Sequence, residues 1–294
     1  MLRLMIQRIT VVTTLFASVV TDANTRLALS SAEKVCDETG TAMNEQKPTF
    51  QSVARNDRNS QIAHQDLLRK AAQRGIDVYF EGDSITRRWG TSDAQYKDFL
   101  ANWKENFFGW NAGNFGWGAD NLQNILWRLE NGELDGVNPK VIVLLAGTNN
   151  LGGKPSPEDD EPKVQEVVAG IDAILKLMQQ KSPKSTIILM GIMPRNDRVN
   201  GTAIVGTIHK INQRISQFAN GKNIRYLNIN DKLADKDGKL FSGVTVDGLH
   251  LSLKGYQIWA DALKPILTEL LGPPSKTDHA PPPTGDPSAK KVAK

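Results

Sequence analysis

The chain carries one cysteine, Cys36, in 294 residues. A lone thiol cannot close a bridge within the chain, so no disulfide framework holds the fold. No motif surrounds Cys36 that would make it a nucleophile, and it lies in a polar stretch without sustained periodicity. Histidine is also scarce, with four in the whole chain. No His, Cys and acidic side chains gather at metal-ligand spacing, so neither a metal nor another cofactor is expected. An excess of one charge is lacking too: 36 basic residues against 32 acidic ones leave +4, spread along the chain. A nucleic-acid partner would need a concentrated basic patch, and the middle of the chain has none. No internal repeat is visible.

One apolar run stands near the start, from residue 9 to 20, after Arg3 and Arg8. It is short and rich in threonine for a membrane span, and a retained N-terminal anchor is the alternative reading. Thr21 and Ala23 then place small residues three and one before a cut ahead of Asn24. That is the layout of a secretory signal peptide over residues 1–23, which predicts a secreted or periplasmic mature chain without a span. Residues 24–60 are polar and mixed and read as an arm or linker. Residues 273–294 are rich in proline and lysine and read as a disordered tail.

Between these flanks, residues 61–272 alternate short apolar runs with amphipathic stretches. Strands are predicted over 77–81, 112–115, 141–146, 186–192 and 224–229. The third and fourth runs, VIVLLA and TIILMGI, show no polar alternation, which suits a parallel sheet covered on both faces. Leu122, Ile125, Leu126 and Leu129 repeat at helical spacing, as do Val164, Val167, Val168, Ile171, Ile174, Leu175 and Met178. A last helix is predicted from the N-cap Ser252, kinked or split at Pro265. The sum is a three-layer α/β/α domain on a five-stranded parallel sheet. Chemistry in such folds collects at the carboxyl ends of the strands.

Four segments fall there. The first is EGDSIT (81–86), where Gly82 permits a sharp turn and Ser84 sits just past a strand, its own N–H free to face a reacting carbonyl. Thr86 stands where a G-x-S-x-G elbow would have glycine. A serine needs a base, and elimination finds one. His64 and His209 lie in predicted helices and His279 in the tail, which leaves His250, with Asp247 three residues before it. A tight turn can set the Asp247 carboxylate on one ring nitrogen and leave the other for Ser84. The third segment is AGTNN (146–150), where Asn149 can aim its side-chain amide across the sheet edge as an oxyanion donor. The fourth is NFGWGAD (114–120), a glycine-rich loop opening the helix that carries Leu122. Singly, each is also ordinary turn or helix-start chemistry. Together they supply nucleophile, base, orienter and oxyanion donors without duplication.

These blocks resemble the SGNH (GDSL-like) hydrolase superfamily. NFGWG, LWRLENGEL (126–134) and GTNN (147–150) are similar to the platelet-activating-factor acetylhydrolase catalytic subunits and their bacterial relatives. The resemblance runs over roughly residues 75–271. It implies a flavodoxin-like sheet, a metal-free serine mechanism and action on small acyl esters, often acetyl. By matched position it makes Ser84 the nucleophile, Asp247 and His250 the rest of a triad, and Ser84, Ala119 and Asn149 the oxyanion hole. One departure stands out: the family's oxyanion glycine is Ala119 here, with Gly118 before it. A backbone N–H serves from either residue, but the added methyl narrows the space for an acyl chain, and Trp117 is bulky for such a loop. Short acyl groups are therefore expected, on an acetylated carbohydrate or a lysophospholipid. Two other readings use the same scaffold: an acetyl transferase, and a non-catalytic glycan-binding module.

Overall fold

The computed structural model describes residues 50–152, 160–197 and 201–288. The signal-like run, Cys36 and most of the 24–60 arm lie outside the described residues. Helix α1 (Arg58–Gln73) leads into β1 (Val78–Gly82), α2 (Ser84–Trp89), α3 (Lys97–Phe107) and β2 (Ala112–Asn114). Next come α4 (Leu122–Arg128), β3 (Val141–Leu145), α5 (Asp160–Lys181), β4 (Thr186–Met190) and α6 (Gly201–Ile215). The chain closes with β5 (Ile224–Leu227), the single turn α7 (Asn230–Leu233) and α8 (Leu253–Leu271).

The five strands form one parallel sheet in the order β2-β1-β3-β4-β5. All five lie where the apolar runs predict them: β1 is shifted one residue later, and the other four end one or two residues early. Successive side chains on a strand face opposite layers. Tyr79, Ile142, Leu144, Ile187 and Leu189 pack under α1, α4, α5 and α6. Val78, Phe80, Val143, Leu145, Ile188 and Met190 pack under α2, α3 and α8. The second layer is aromatic: the Phe80 ring lies 4.6 Å from Trp103, and Trp89 lies 4.9 Å from Tyr256 and 5.0 Å from Trp259. Burying one such ring stabilises the fold by about 2–3 kcal/mol. Trp89 ends the helix that Ser84 begins, so this cluster fixes the helix on which Ser84 rides.

Chain direction across the sheet reverses between β1 and β3, because β2 lies to one side of β1 and β4 to the other side of β3. Loops leaving such neighbours at their carboxyl ends diverge and open a crevice. The turns after β1 and β3, which carry Ser84 and Asn149, flank that crevice.

Three expectations are corrected. Helix α8 runs unbroken through Pro265 from its N-cap Ser252, whose hydroxyl accepts from the Gly255 N–H. The globular part begins before residue 61: Phe50 is buried in the core, and the Asp57 side chain caps α1 by accepting from the Ser60 N–H. The proline-rich tail is tied down through Ser288. Asp278 accepts from the N–H groups of Gly109 and Asn111, the Thr284 carbonyl accepts from Ser92, and Asp286 accepts from Asn59. Proline has little backbone freedom to lose, so a few such bonds suffice to order the segment. It runs beside the edge strand β2, where Pro281, Pro282 and Pro283 help to line a cavity of about 290 Å³ with Trp103 and Phe107.

Candidate active site

Three elements bring one hydrogen-bonded line together. The Ser84 Oγ lies 2.9 Å from the His250 Nε2, and the His250 Nδ1 lies 2.6 Å from the Asp247 Oδ2. Ser84 opens α2 directly after β1, and Asp83 caps that helix by accepting from the Ile85 N–H at 2.9 Å. The turn at Gly82 tolerates no side chain: a Cβ there would meet the Leu145 carbonyl and the Thr86 Oγ1 at 2.3 Å. His250 and Asp247 sit on a small loop before α8. The Asp247 Oδ1 accepts from the Leu249 and His250 N–H groups at 3.1 and 2.7 Å, and the Val246 N–H donates to the His250 carbonyl. Gly248 has φ +81°, and its carbonyl accepts from the Asn196 N–H at 2.8 Å, which seats the loop against the segment after β4.

The electrostatics suit a base. Burial would raise the Asp247 carboxyl, but the hydrogen bonds from His250 and Leu249 outweigh it and hold Asp247 below its ordinary value. Burial lowers His250; its bond to Asp247 raises it, the Arg88 and Arg195 charges lower it again, and the net shift is downward. His250 is therefore neutral at pH 7, with Nδ1–H donated to Asp247 and Nε2 left to accept from Ser84. Arg88 is four residues past Ser84 on the same side of α2, and its Nη1 lies 3.6 Å from the Asp247 Oδ2. Asp83 is wholly buried, its Oδ2 meets no partner, and burial pushes its carboxyl up to about 7.

The loop after β2 packs beside the turn that carries Ser84, with the Trp117 N–H donating to the Gly82 carbonyl at 3.0 Å. Ala119 has φ +64°, a left-handed conformation that costs an L side chain roughly 1–2 kcal/mol and that glycine adopts freely. Its neighbour Asp120 is held at three points: the carbonyl accepts from the Asn149 Nδ2 at 2.8 Å, Oδ2 from the Arg128 Nε at 2.7 Å and Oδ1 from the Arg55 Nη1 at 3.1 Å. Asn149 thus lies against the loop with a second amide hydrogen still to give. Trp117 turns its ring to α1, where its Nε1 donates to the Ser60 Oγ at 2.8 Å and the Arg87 guanidinium covers its face at 4.6 Å.

Beneath the loop lies a buried ionic group. Arg128 binds Asp120, Glu81 and Glu133 together and donates to the Phe115 carbonyl, with all these side chains at most 4% exposed. Glu133 also meets the His64 Nδ1 at 2.6 Å. Burial pushes Glu81 up to about 8 despite the Arg128 beside it, with Glu133 adding to the rise. Lys70 donates to the Asn114 carbonyl at 2.8 Å, and burial pushes its ammonium down to about 7 against the pull of Glu133.

Ser84, Asp247 and His250 come together as one line, and Ala119 and Asn149 are bridged by Asp120. His64 is spent on Glu133, and His209 lies in α6 as expected. Arg55, Arg88, Arg128 and Arg195 were missed. Arg128 had a signal, a lone cation inside the apolar stripe of LWRL; Arg55 had none.

The family profile described as GDSL-like Lipase/Acylhydrolase matches residues 80–258. The alpha2 subunit of platelet-activating factor acetylhydrolase IB from Rattus norvegicus is 34% identical over 66% of this chain and 77% of its own. The alpha1 subunit from Bos taurus is 28% identical over 76% of this chain and 89% of its own. A GDSL-like lipase from Bacteroides thetaiotaomicron superposes with a TM-score of 0.55 at 18% identity, over 71% of this chain and 98% of that one, a likeness of fold.

Proposed function

Since the chain belongs to the GDSL-like lipase/acylhydrolase family and is an ester hydrolase, we propose that it cleaves short acyl esters, acetyl above all, through a Ser84–His250–Asp247 triad. One observation carries this reading: the Ser84 Oγ and the Asp247 carboxylate occupy the two nitrogens of one imidazole, at 2.9 and 2.6 Å.

His250 Nε2 takes the hydroxyl proton as Ser84 Oγ attacks the ester carbonyl carbon. Asp247 holds the tautomer and stabilises the imidazolium that forms. Negative charge gathers on the carbonyl oxygen. Three donors meet it: the N–H of Ser84, at a first helical position where the helix offers no acceptor, the N–H of Ala119, and the second amide hydrogen of Asn149. The tetrahedral species collapses, the C–O bond to the alcohol breaks, and His250 gives the alcohol its proton. Water then gives a proton to His250 and attacks the acyl-enzyme. Carboxylic acid leaves, and Ser84 recovers its proton.

The short-chain preference rests on the Ala119 methyl, which stands where the family has glycine. The relatives named acetylhydrolases support acetyl as the acyl group. The signal-like run over residues 1–23 supports a secreted or periplasmic enzyme, for which an acetylated carbohydrate is the substrate we favour; no described helix is long and apolar enough to cross a membrane. The test compares p-nitrophenyl acetate, butyrate and octanoate, with acetylated xylo-oligosaccharide as the glycan substrate. The reading expects acetate to be fastest and acetic acid to be released from the glycan. Octanoate turned over as fast as acetate would remove the acyl preference.

A further inference from the structure

The proposed oxyanion loop holds a residue that dislikes its own backbone conformation. Ala119 sits at φ +64° between Gly118 and Asp120. A side chain on Gly118 would meet nothing within 4 Å, so no close packing at that position holds the loop. The same Nη1 of Arg55 donates to the Gly118 carbonyl and to the Asp120 Oδ1, both at 3.1 Å. One guanidinium nitrogen therefore grips the loop on both sides of Ala119. The rest of the Arg55 side chain is anchored by Asp57, through Nε and Nη2 at 2.9 Å. Arg55 lies in the segment before α1, outside the residues 80–258 that match the family profile.

We infer that Arg55 is a positioning residue for the oxyanion hole: its clamp on Gly118 and Asp120 holds the Ala119 N–H on target against the left-handed strain that glycine would not feel. The inference rests on the proposed acyl-transfer reading for its effect on rate, and on geometry alone for its effect on the loop. Arg55 touches no substrate. Its loss acts through Ala119.

A double-mutant cycle tests it. Arg55→Ala lowers kcat on p-nitrophenyl acetate by roughly tenfold to a hundredfold with little change in KM, since small misplacements of a catalytic donor are costly. Arg55→Lys recovers part of the loss by keeping a donor. In the Ala119→Gly background, where the loop needs no clamp, Arg55→Ala costs less than about threefold, the signature of coupled neighbours. Amide hydrogen exchange over residues 116–122, read in the same four proteins, accelerates in Arg55→Ala and returns towards the parent rate in the double variant. Equal losses in both backgrounds, or unchanged exchange over 116–122 in Arg55→Ala, would overturn the inference. If Arg55 serves only the start of α1 through Asp57, the melting temperature falls while kcat and loop exchange hold. If the parent protein has no turnover at all, the acyl-transfer reading fails, and the exchange measurements still decide whether Arg55 holds the loop.

Discussion

The two banks of the proposed site are built in opposite ways. The Asp247–His250 loop is thin and wet: the Asp247 side chain is 45% exposed, and backbone hydrogen bonds within residues 244–252 hold the turn. The Gly116–Asp120 bank stands on charges that water does not reach, with Arg128 tied to three buried carboxylates. The base itself is drier than its partner: the His250 side chain is 12% exposed, and burial helps keep it neutral near the working pH. An oxyanion donor must not move when charge develops, so a rigid, dry support serves it. The comparison teaches that stability and catalysis should come apart when each bank is altered.

The largest effect is expected from the dry bank. Arg128→Leu leaves Asp120, Glu81 and Glu133 without their common cation, which should cost about 3–5 kcal/mol of folding stability, seen as a lower denaturant midpoint. The wet bank should answer differently. Asp247→Asn should cut kcat by roughly a hundredfold to ten-thousandfold, while the melting temperature stays within a few degrees. Equal loss of stability in both variants would erase the distinction. Ala119→Gly sharpens it from within the loop: relief of the left-handed strain should raise the melting temperature by roughly 2–3 °C, and the octanoate-to-acetate ratio should rise.

The smallest effect concerns protons. In the proposed mechanism the rate depends on neutral His250, so kcat/KM should fall as pH drops through the free-enzyme pKa. That pKa is lowered, so the acid limb should have its midpoint below the ordinary histidine value of about 6.5. Arg88→Gln removes one of the charges that lower it, so the limb should move to higher pH. A shift to lower pH would contradict the sign of the Arg88 contribution.

Much of this was legible in the sequence, for physical reasons. A parallel strand buried on both faces must be apolar throughout, so VIVLL and TIILM declared themselves. Ser84 and His250 could be paired because elimination over four histidines needs no geometry. The ionic support was legible only in part: Arg128 stands eight residues from Asp120 and five from Glu133, but it reaches Glu81 across 47 positions, and Arg55 reaches Asp120 across 65. The tail misled because proline-rich composition suggests disorder, while its order comes from Asp278 meeting two backbone N–H groups beside β2. Pro265 does not split α8, because the helix is buried along Tyr256, Trp259, Leu263 and Leu267, and that packing outweighs one lost backbone bond.

Ser84 is the proposed nucleophile on which every step of the mechanism depends. The direct measurement is hydrolysis of p-nitrophenyl acetate by the parent protein and by Ser84→Ala, at equal concentration and with matching circular dichroism. The account predicts saturable turnover in the parent and a loss of roughly a thousandfold or more in the variant. Turnover that survives in Ser84→Ala would contradict it.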